Sequence, residues 1–549
     1  MGKDEASSTP AEVRPDAEQT AEVRSELHEY LEIRQARRSL FPRAALVGLL
    51  SGAVAVLFRA LLAGGDALRN NLISWSQTFP RIGWVFPALF GAAGAAGAVW
   101  LVRRSAPEAS GSGIPHLEAV LRRYRELRWW RVLPVKLIGG ALAIGGGLAL
   151  GREGPTVQMG GSVGDAVARR FSVTTEERLI LTAAGAGAGL AAAFNAPLSG
   201  LVFVLEELQR DFRAGTFGSA FLAAAIADIV ARLVSGQLPS FSIPSYPSPP
   251  LMALPAFALL GLVTGVFGVG FNKALLRTLD RFSRWTGRRS IVAAAFVGAA
   301  AGVLGWIAPN VVGGGHGLAE QALAGQVVLA AIPLLLIARL ALTLTSYGTG
   351  APGGIFAPLL ALGALLGLGF GLLARSMAPS VVSQPAVFAV VGMAATFTAI
   401  VRAPLTGVVL IVEMTGNYAQ MLPLLIACFC AYAAAEALRD LPIYEALLAR
   451  DLQRSGVQHT HAQPLVIELA IEPRAPFDGR AIRELGLPPG CLIVRCRDGG
   501  EELVPTADTR LYAHMRITAV VAPESEGGLT ALRAGCEASN HCTAGQAAG

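Results

Sequence analysis

The chain has 549 residues, of which 53% are hydrophobic and only 15% are charged, and its mean hydropathy is +0.51. A soluble globular protein carries about a quarter charged residues, so this composition excludes that class. Apolar stretches long enough to cross a bilayer recur from about residue 41 to about residue 440, which predicts a polytopic membrane protein. The net charge of +6 has no accompanying aromatic or Arg-rich groove, so we expect no nucleic-acid partner.

The first 40 residues are polar and carry charges of both signs. We expect them to form a cytoplasmic N-terminal tail that includes a surface helix, since no signal peptide is visible there. Arg37, Arg38 and Arg43 flank the first apolar stretch. Basic residues beside a membrane span favour the cytoplasmic side, so the sequence predicts a cytoplasmic N-terminus.

An internal repeat divides the apolar region into two halves. The segment APLSGLVFVLEE, which begins at Ala196, is matched by APLTGVVLIVEM, which begins at Ala403. Upstream, Pro155, Gly160 and Gly164 fall in the same order as Pro358, Gly363 and Gly367. Two matched pairs in the same order indicate homologous halves over about 41–245 and 250–440. Such repeats are typical of secondary transporters, whose substrate site lies where the repeats meet.

Three loops rich in Gly and Pro precede apolar segments that look helical: GSGIP at 111–115, GREGP at 151–155 and GTGAPGGIFAP at 348–358. Each loop predicts a helix N-terminus with free N–H groups, and such an end binds anions through its partial positive charge. Three ends that converge would form a weak, selective anion site, as conduction or exchange requires. The alternative is that these loops are ordinary helix corners with close glycine packing.

Glu153 stands within the second loop, next to an uncharged run. A charge at bilayer depth costs roughly 2.5–3.5 kcal/mol on insertion scales, so it needs compensation. One interpretation places the carboxylate in the anion site itself, where protonation would release it and open the site. The alternative is a structural ion pair with the neighbouring Arg152.

After Tyr444 the chain becomes charged, and we predict a small α+β domain over 464–523. Its expected elements are strands in PLVIELAIEP, CLIVRCRDGG and MRITAVVAP, a helix in GRAIRELGL and a hairpin at the Asp-Gly of RDGGEE. Residues 524–549 have the composition of a disordered tail. The expected cytoplasmic location predicts free thiols at Cys491, Cys496, Cys536 and Cys542. No zinc spacing is present, so we expect no metal site.

The motifs GSGIP, GREGPTVQMGG, AAFNAPLSGLVFVLEEL and GAPGGIFAP together resemble the CLC family of chloride channels and proton-coupled chloride transporters. The similarity covers about residues 41–455. It implies an all-α polytopic membrane protein, built from two inverted repeats of short tilted helices, that forms a homodimer with one pore per subunit. It implies no cofactor, with chloride and protons as the transported ions.

The resemblance implies a chloride site with four contributors. Ser112 and Tyr444 would offer hydroxyl groups, and Ile355 and Phe356 would offer backbone N–H groups. Without the resemblance, a lone Tyr at the end of a span would be interpreted as an interfacial anchor. Members that prefer nitrate have Pro at the position of Ser112, so Ser112 favours chloride.

The resemblance also implies a gate and a proton route. Glu153 would be the external gate, flanked by the N–H groups of Arg152 and Gly154. Glu207 would be the inner proton acceptor, since exchangers resemble this chain by having Glu there, whereas typical channels have an apolar residue. The alternative is that Glu207 is an exposed carboxylate at a helix end. The leading prediction is therefore a chloride/proton antiporter, and the alternative is a CLC-type voltage- or pH-gated chloride channel without proton coupling.

Three further residues match family positions with other implied roles. Glu206 and its repeat counterpart Glu413 are expected to serve structure. Lys136 should add positive potential near the pathway, although it could equally snorkel towards water. The sequence has no HExxH motif and no His pair in an apolar span, so we expect no enzyme.

The segment from 476 to 521 resembles an RCK C-terminal (TrkA-C) domain, although His514-Met515 replaces the usual Gly-Asp. Such domains can bind small ligands and often dimerise. We therefore expect either a regulatory site for a small molecule or a passive lobe that stabilises a dimer. The other expected partner is the lipid of a bacterial inner or plasma membrane, with both termini cytoplasmic.

Overall fold

In the computed structural model, the structure describes residues 17–210, 214–241, 244, 246–454, 465–499, 501–522, 525 and 527–537, with the backbone alone for 17–39, 214 and 501. The chain divides into two compact units, 1–450 and 451–549. The first unit is helical, and the second contains the sheet.

Helices alternate with short loops along the first unit, and the last of them crosses its boundary. They are α1 Ala17–Ser76, α2 Val85–Ser105, α3 Ile114–Leu121, α4 Trp129–Gly145, α5 Glu153–Arg170, α6 Thr175–Phe194, α7 Pro197–Phe203, α8 Ala214–Ser235, α9 Leu254–Ser283, α10 Arg288–Ile307, α11 His316–Leu323, α12 Ile332–Gly348, α13 Phe356–Met377, α14 Ala386–Val401, α15 Pro404–Thr415, α16 Met421–Ala437 and α17 Ile443–Arg454.

Among the described residues, eight helical segments are long and apolar enough to cross a membrane. The first is Leu40–Ser76, which is continuous with the polar part of α1. The change in character predicted near residue 41 therefore falls inside one helix. By contrast, α5, α6 and α14 form the interior, and every residue of α14 is buried. Helices interrupted by loops are tolerated at membrane depth where protein surrounds them, as it does α14.

The predicted repeat is confirmed in the order and packing of the helices. The series α2–α8 is matched by α10–α16, and the eight-residue helices α3 and α11 occupy the same place in the two series. Gly160 and Gly185 bring α5 and α6 together so closely that an added Cβ at either would overlap the other's carbonyl oxygen. Gly363 and Gly392 do the same for α13 and α14. The glycines that reveal the repeat in the sequence are thus required by the same helix crossing in both halves.

Glu206 and Glu413 join the two halves by reciprocal contacts. Glu413 accepts hydrogen bonds from the N–H groups of Leu198 and Ser199, at 3.1 and 2.7 Å, at the start of α7. Glu206 accepts the equivalent pair from Leu405 and Thr406, at 3.0 and 2.7 Å, at the start of α15. A carboxylate stabilises a helix N-terminus. These contacts agree with the structural role expected for both residues.

The second unit contains a four-stranded antiparallel sheet in the order β1-β4-β2-β3. Its elements are β1 Leu465–Ala470, β2 Cys491–Asp498, β3 Glu501–Leu503, β4 Arg516–Val521 and α18 Gly528–Cys536. The strands and the β2–β3 hairpin agree with the predictions. One inner face of the sheet, with Ile493, Ile517 and Ala519, is buried in an apolar core.

Two predictions for this unit are wrong. The helix expected in GRAIRELGL is only a 3-10 turn, Ile482–Glu484, because Gly486 with φ +60° follows within one turn. The disorder expected over 524–549 is contradicted by α18, in which Leu532 is 0% and Cys536 1% exposed. Both side chains complete the core beneath the sheet, a gain that composition alone does not reveal. The part of the predicted tail from 538 onwards lies outside the described residues.

Candidate anion site

The three Gly/Pro loops meet in the structure, as predicted. Gly111 pairs with Pro352, and Gly151 pairs with Gly354. The Gly151 N–H donates to Gly354 O at 2.7 Å, and the reverse bond is 2.8 Å. The Gly353 N–H donates to Gly111 O at 3.0 Å. Backbone bonds between loops from both halves therefore bring the starts of α3, α5 and α13 together.

The three helix starts leave polar groups available at this point. Within the described residues, the residue directly before each of α3, α5 and α13 makes no side-chain capping hydrogen bond to that helix. Gly113, the residue before α3, has φ +84°, a conformation that favours glycine. Uncapped N–H groups at a helix start carry a partial positive charge and bind anions. The predicted convergence of three helix starts is thus present, and the close glycine packing named as the alternative occurs at the same loops.

Ser112 lies in the tightest part of this junction. It is 1% exposed, and a Cβ added to Gly154 would lie 2.8 Å from Ser112 Cβ and 3.0 Å from Ser112 O. Similarly, a Cβ on Gly354 would lie 3.1 Å from Gly154 N. The loops therefore approach through their backbones, which requires glycine at 154 and 354.

Lys136 fixes the loop that carries Ser112. Its ammonium group is 0% exposed and donates to Ala109 O at 3.0 Å and Gly111 O at 2.7 Å. The side chain therefore does not snorkel. It holds the first loop from α4 and places a positive charge one residue from Ser112.

Glu153 is 2% exposed, and its carboxylate lies at the start of α13. Oε2 accepts a long hydrogen bond of 3.4 Å from the Ala357 N–H. Oε1 lies 4.0 Å from Arg152 Nε. A Cβ at Gly151 would overlap Oε2, so the loop leaves room for this carboxylate. The carboxylate thus contacts both a helix start and Arg152, as the two interpretations of Glu153 require. The distance to the Ala357 N–H is the shorter of the two.

Ala357 is a contributor that the sequence analysis missed. The resemblance pointed to the N–H groups of Ile355 and Phe356, whose residues are both 0% exposed. The group that meets Glu153 is the next amide of the same turn. The signal was present, because GIFAP offers several successive N–H groups at one helix start. Only the fold decides which amide faces which anion.

Tyr444 and Glu207 lie in the interior, not at an interface. Tyr444 is 0% exposed, and its hydroxyl has no hydrogen-bond partner among the described residues. It lies within electrostatic range of both Glu153 and Glu207. Glu207 is 2% exposed within a π-helical turn, Val204–Gln209, and its Oε1 is likewise unpartnered in the described part of the chain. The interpretation of Glu207 as an exposed carboxylate is therefore wrong.

Glu118 is a second buried carboxylate that sequence reasoning missed. It lies on α3, is 0% exposed, and neither oxygen has a hydrogen-bond partner in the described ranges. It lies within electrostatic range of Glu207, Arg210 and Glu445. Arg210 and Glu445 form an ion pair beside it. The sequence around Glu118 gave no sign that this residue is buried, because the nearby His116 is also polar.

A cavity of about 400 Å³ opens beside Glu153. We call it the Glu153 cavity. Its walls come from α1, from the start of α5 and from the glycine run at 313–315 before α11. Charged and polar side chains on these walls are Arg59, Asp66, Arg69, Asn70, Arg152, Glu153, Asn310 and His316. The cavity gives solvent-sized species a way to the Glu153 carboxylate.

Comparison with known proteins places the chain in a family. The family model described as "Voltage gated chloride channel" matches residues 94–436, more than half of the chain. The model described as "TrkA-C domain" matches residues 466–532, which includes most of α18. The predicted resemblances to both families are thus confirmed.

Similar proteins include the H(+)/Cl(-) exchange transporter ClcA of Vibrio parahaemolyticus, 43% identical over 76% of this chain and 91% of that protein. ClcA of Citrobacter koseri is 40% identical over 76% of this chain and 89% of that protein. The crystal structure of a slow cyanobacterial Cl⁻/H⁺ antiporter aligns with a TM-score of 0.74 and 38% identity, over 76% of this chain and 99% of that chain. This protein therefore belongs to the voltage-gated chloride channel (CLC) family and carries a TrkA-C domain.

Proposed function

We propose that this protein exchanges chloride for protons across a membrane, with Glu153 as the gate. The observation that carries the proposal is the position of the Glu153 carboxylate. It is buried and accepts a hydrogen bond from the Ala357 N–H at the start of α13. The names of the similar ClcA proteins and of the cyanobacterial antiporter support the same activity.

Chloride would bind where the three loops meet. The Ser112 and Tyr444 hydroxyls would donate to the ion, together with the N–H groups of Ile355 and Phe356. Support comes from the burial of all four residues and from the unpartnered Tyr444 hydroxyl within the described residues. Neutral donors bind an anion weakly enough to release it, which turnover requires.

Glu153 would compete with chloride for the helix ends. Its ionised carboxylate presents an anion to the Ala357 N–H, so chloride and carboxylate exclude each other there. Protonation removes the charge, weakens the contact and lets the side chain leave. Anion entry and protonation of Glu153 are then linked, and the N–H groups of Arg152 and Gly154 flank the vacated position.

Glu207 would pass protons between Glu153 and the inner solution. Burial and an unpartnered oxygen in the described part of the chain suit a carboxylate that alternates between charged and neutral forms. The Arg210–Glu445 ion pair lies within electrostatic range and marks the polar end of this route. A channel of the same family without proton coupling would need no proton acceptor at this position.

The protein would act as a homodimer in a bacterial inner or plasma membrane, with both termini cytoplasmic. The TrkA-C domain would then lie in the cytoplasm, where a small molecule could reach it. The alternative role for this domain is to stabilise the dimer. Deletion of residues 460–549 separates the two, because a regulatory domain alters the response of transport to ligands and a passive lobe alters dimer stability.

Proton movement in liposomes tests the proposed function. A chloride gradient is imposed, the voltage is clamped with potassium and valinomycin, and external pH is followed. We expect uphill proton movement with the wild type. We expect Glu207→Ala to lose it while chloride still flows, and Glu206→Gln to serve as the matched control because Glu206 caps α15. Chloride flux without proton movement in the wild type would instead identify a channel.

A further inference from the structure

The Glu153 cavity is lined by more basic than acidic side chains. Arg59, Arg69 and Arg152 line it, against two acidic residues, Asp66 and Glu153. A fourth arginine, Arg339, is 0% exposed and lies behind the glycine run in the wall. Charge of one sign in a recessed, low-dielectric space concentrates counter-ions of the other sign.

The glycine run holds two of these arginines against the cavity. A Cβ on Gly313 would lie 3.3 Å from Arg69 Nη1, and one on Gly315 would lie 2.6 Å from Arg339 Nη2. Both glycines have positive φ, +65° and +82°. The run therefore curves closely over both guanidinium groups, and larger residues there would displace them.

Several guanidinium donors in this wall lack acceptors. Arg69 is 8% exposed, and its Nε has no hydrogen-bond partner among the described residues, although Nη1 lies 2.8 Å from Asp66 Oδ1. Arg59 Nη1 is also buried and unpartnered within the described ranges. Arg339 Nη1 donates to Val311 O at 2.7 Å, whereas its Nε and Nη2 find no acceptor there. Unsatisfied buried donors are costly, and an anion in the cavity would satisfy those of Arg59 and Arg69, which line it.

We infer that the Glu153 cavity is a second anion site, which takes a small tetrahedral oxyanion such as sulfate or phosphate. Guanidinium groups present paired N–H donors that match two oxygens of one anion. The cavity volume of about 400 Å³ exceeds the roughly 30 Å³ of one water molecule in the liquid. It therefore admits a polyatomic anion together with water.

A bound oxyanion would lie next to the gate carboxylate. It would repel ionised Glu153 and obstruct the route by which chloride reaches the helix starts. We therefore expect sulfate to slow chloride transport, and this part of the inference rests on the proposed function. The binding site itself does not, since it depends on residues outside the proposed chloride and proton steps except for Arg152 and Glu153.

Calorimetric titration of the purified full-length protein with sulfate, in low-chloride detergent solution, tests the site. We expect one saturable site per chain, whose affinity falls about tenfold or more in Arg69→Gln, as loss of a charge-assisted contact implies. Arg59→Gln, a change at a half-buried residue, gives a second test should Arg69→Gln not fold. Arg104→Gln is the control, because Arg104 is exposed on α2 away from the cavity; it should bind as the wild type does.

The outcomes separate the inference from the proposed function. The inference is overturned if the wild type does not bind sulfate. It is also overturned if Arg59→Gln and Arg69→Gln both bind sulfate as tightly as the wild type does. Either result counts even when exchange is normal. Chloride that competes at equal affinity overturns the choice of an oxyanion. Competition by phosphatidylglycerol that depends on Arg69 supports the site, with a lipid headgroup as the source of the oxyanion. Sulfate binding in a protein that moves no protons leaves the site standing and removes the exchanger.

Discussion

Gly154→Ala tests whether the contact between two loops forms the chloride site. The new Cβ would lie 2.8 Å from Ser112 Cβ and 3.0 Å from Ser112 Cα and O. Ser112 cannot easily retreat, because Lys136 and the Gly111–Pro352 pairing hold its loop. Overpacking of this kind costs about 1–3 kcal/mol. The gain of Ala over Gly within α5 returns up to about 1 kcal/mol.

The net perturbation of up to about 2 kcal/mol acts where chloride would pass, and each 1.4 kcal/mol or so on a barrier changes the rate about tenfold. We therefore expect chloride turnover to fall, by at most about 30-fold. Efflux from liposomes, followed with a chloride electrode, measures it. Gly270→Ala is the matched control, because a Cβ there meets nothing within 4 Å in the described structure. Wild-type turnover in a folded Gly154→Ala protein would show that chloride does not pass this contact.

Three other predictions concern stability. Glu206→Gln and Glu413→Gln should each lower thermal stability by a similar amount, about 1–2 kcal/mol, because each weakens one reciprocal helix cap; a large effect at only one position would contradict the symmetric role. His514→Gly should stabilise the second unit by about 1 kcal/mol, since His514 has φ +71°; slower hydrogen exchange in β4 of the full-length protein measures this, and faster exchange contradicts it. Burial raises the pKa of the Cys536 thiol to about 11 from a usual value of 9.0. The neutral thiol therefore stabilises the fold below pH 9, and this contribution is lost between about pH 9 and 11; Cys536→Ala should remove that loss, and an unchanged pH profile of hydrogen exchange would refute the assignment.

Local features of the sequence predicted much of the site. Gly and Pro at 111–115 and 151–155 determine where helices start, since they set backbone conformation within a few residues. The matched glycines at 160 and 363 predicted the repeat, and the same residues make the same helix crossing in both halves. Ser112 and Glu153 could be assigned because they stand inside these loops.

Long-range contacts could not be predicted in the same way. The Ala357 amide, rather than that of Phe356, faces Glu153 because of how α13 is oriented against α5. Glu118 becomes buried through the packing of α3, and nothing beside it in sequence indicates this. Likewise, α18 was interpreted as disordered because its apolar residues are few, although Leu532 fills a defined position in the core.

The most direct test of the central claim is anomalous diffraction from crystals of Glu153→Gln grown in bromide. Removing the carboxylate charge should admit a halide to the position it occupies beside the Ala357 N–H. We expect a bromide peak within hydrogen-bond distance of the Ala357 N–H in Glu153→Gln, and no peak there in the wild type. An empty position in Glu153→Gln, or a bromide that coexists with the wild-type carboxylate in its present place, would contradict the claim that Glu153 and chloride compete for one site.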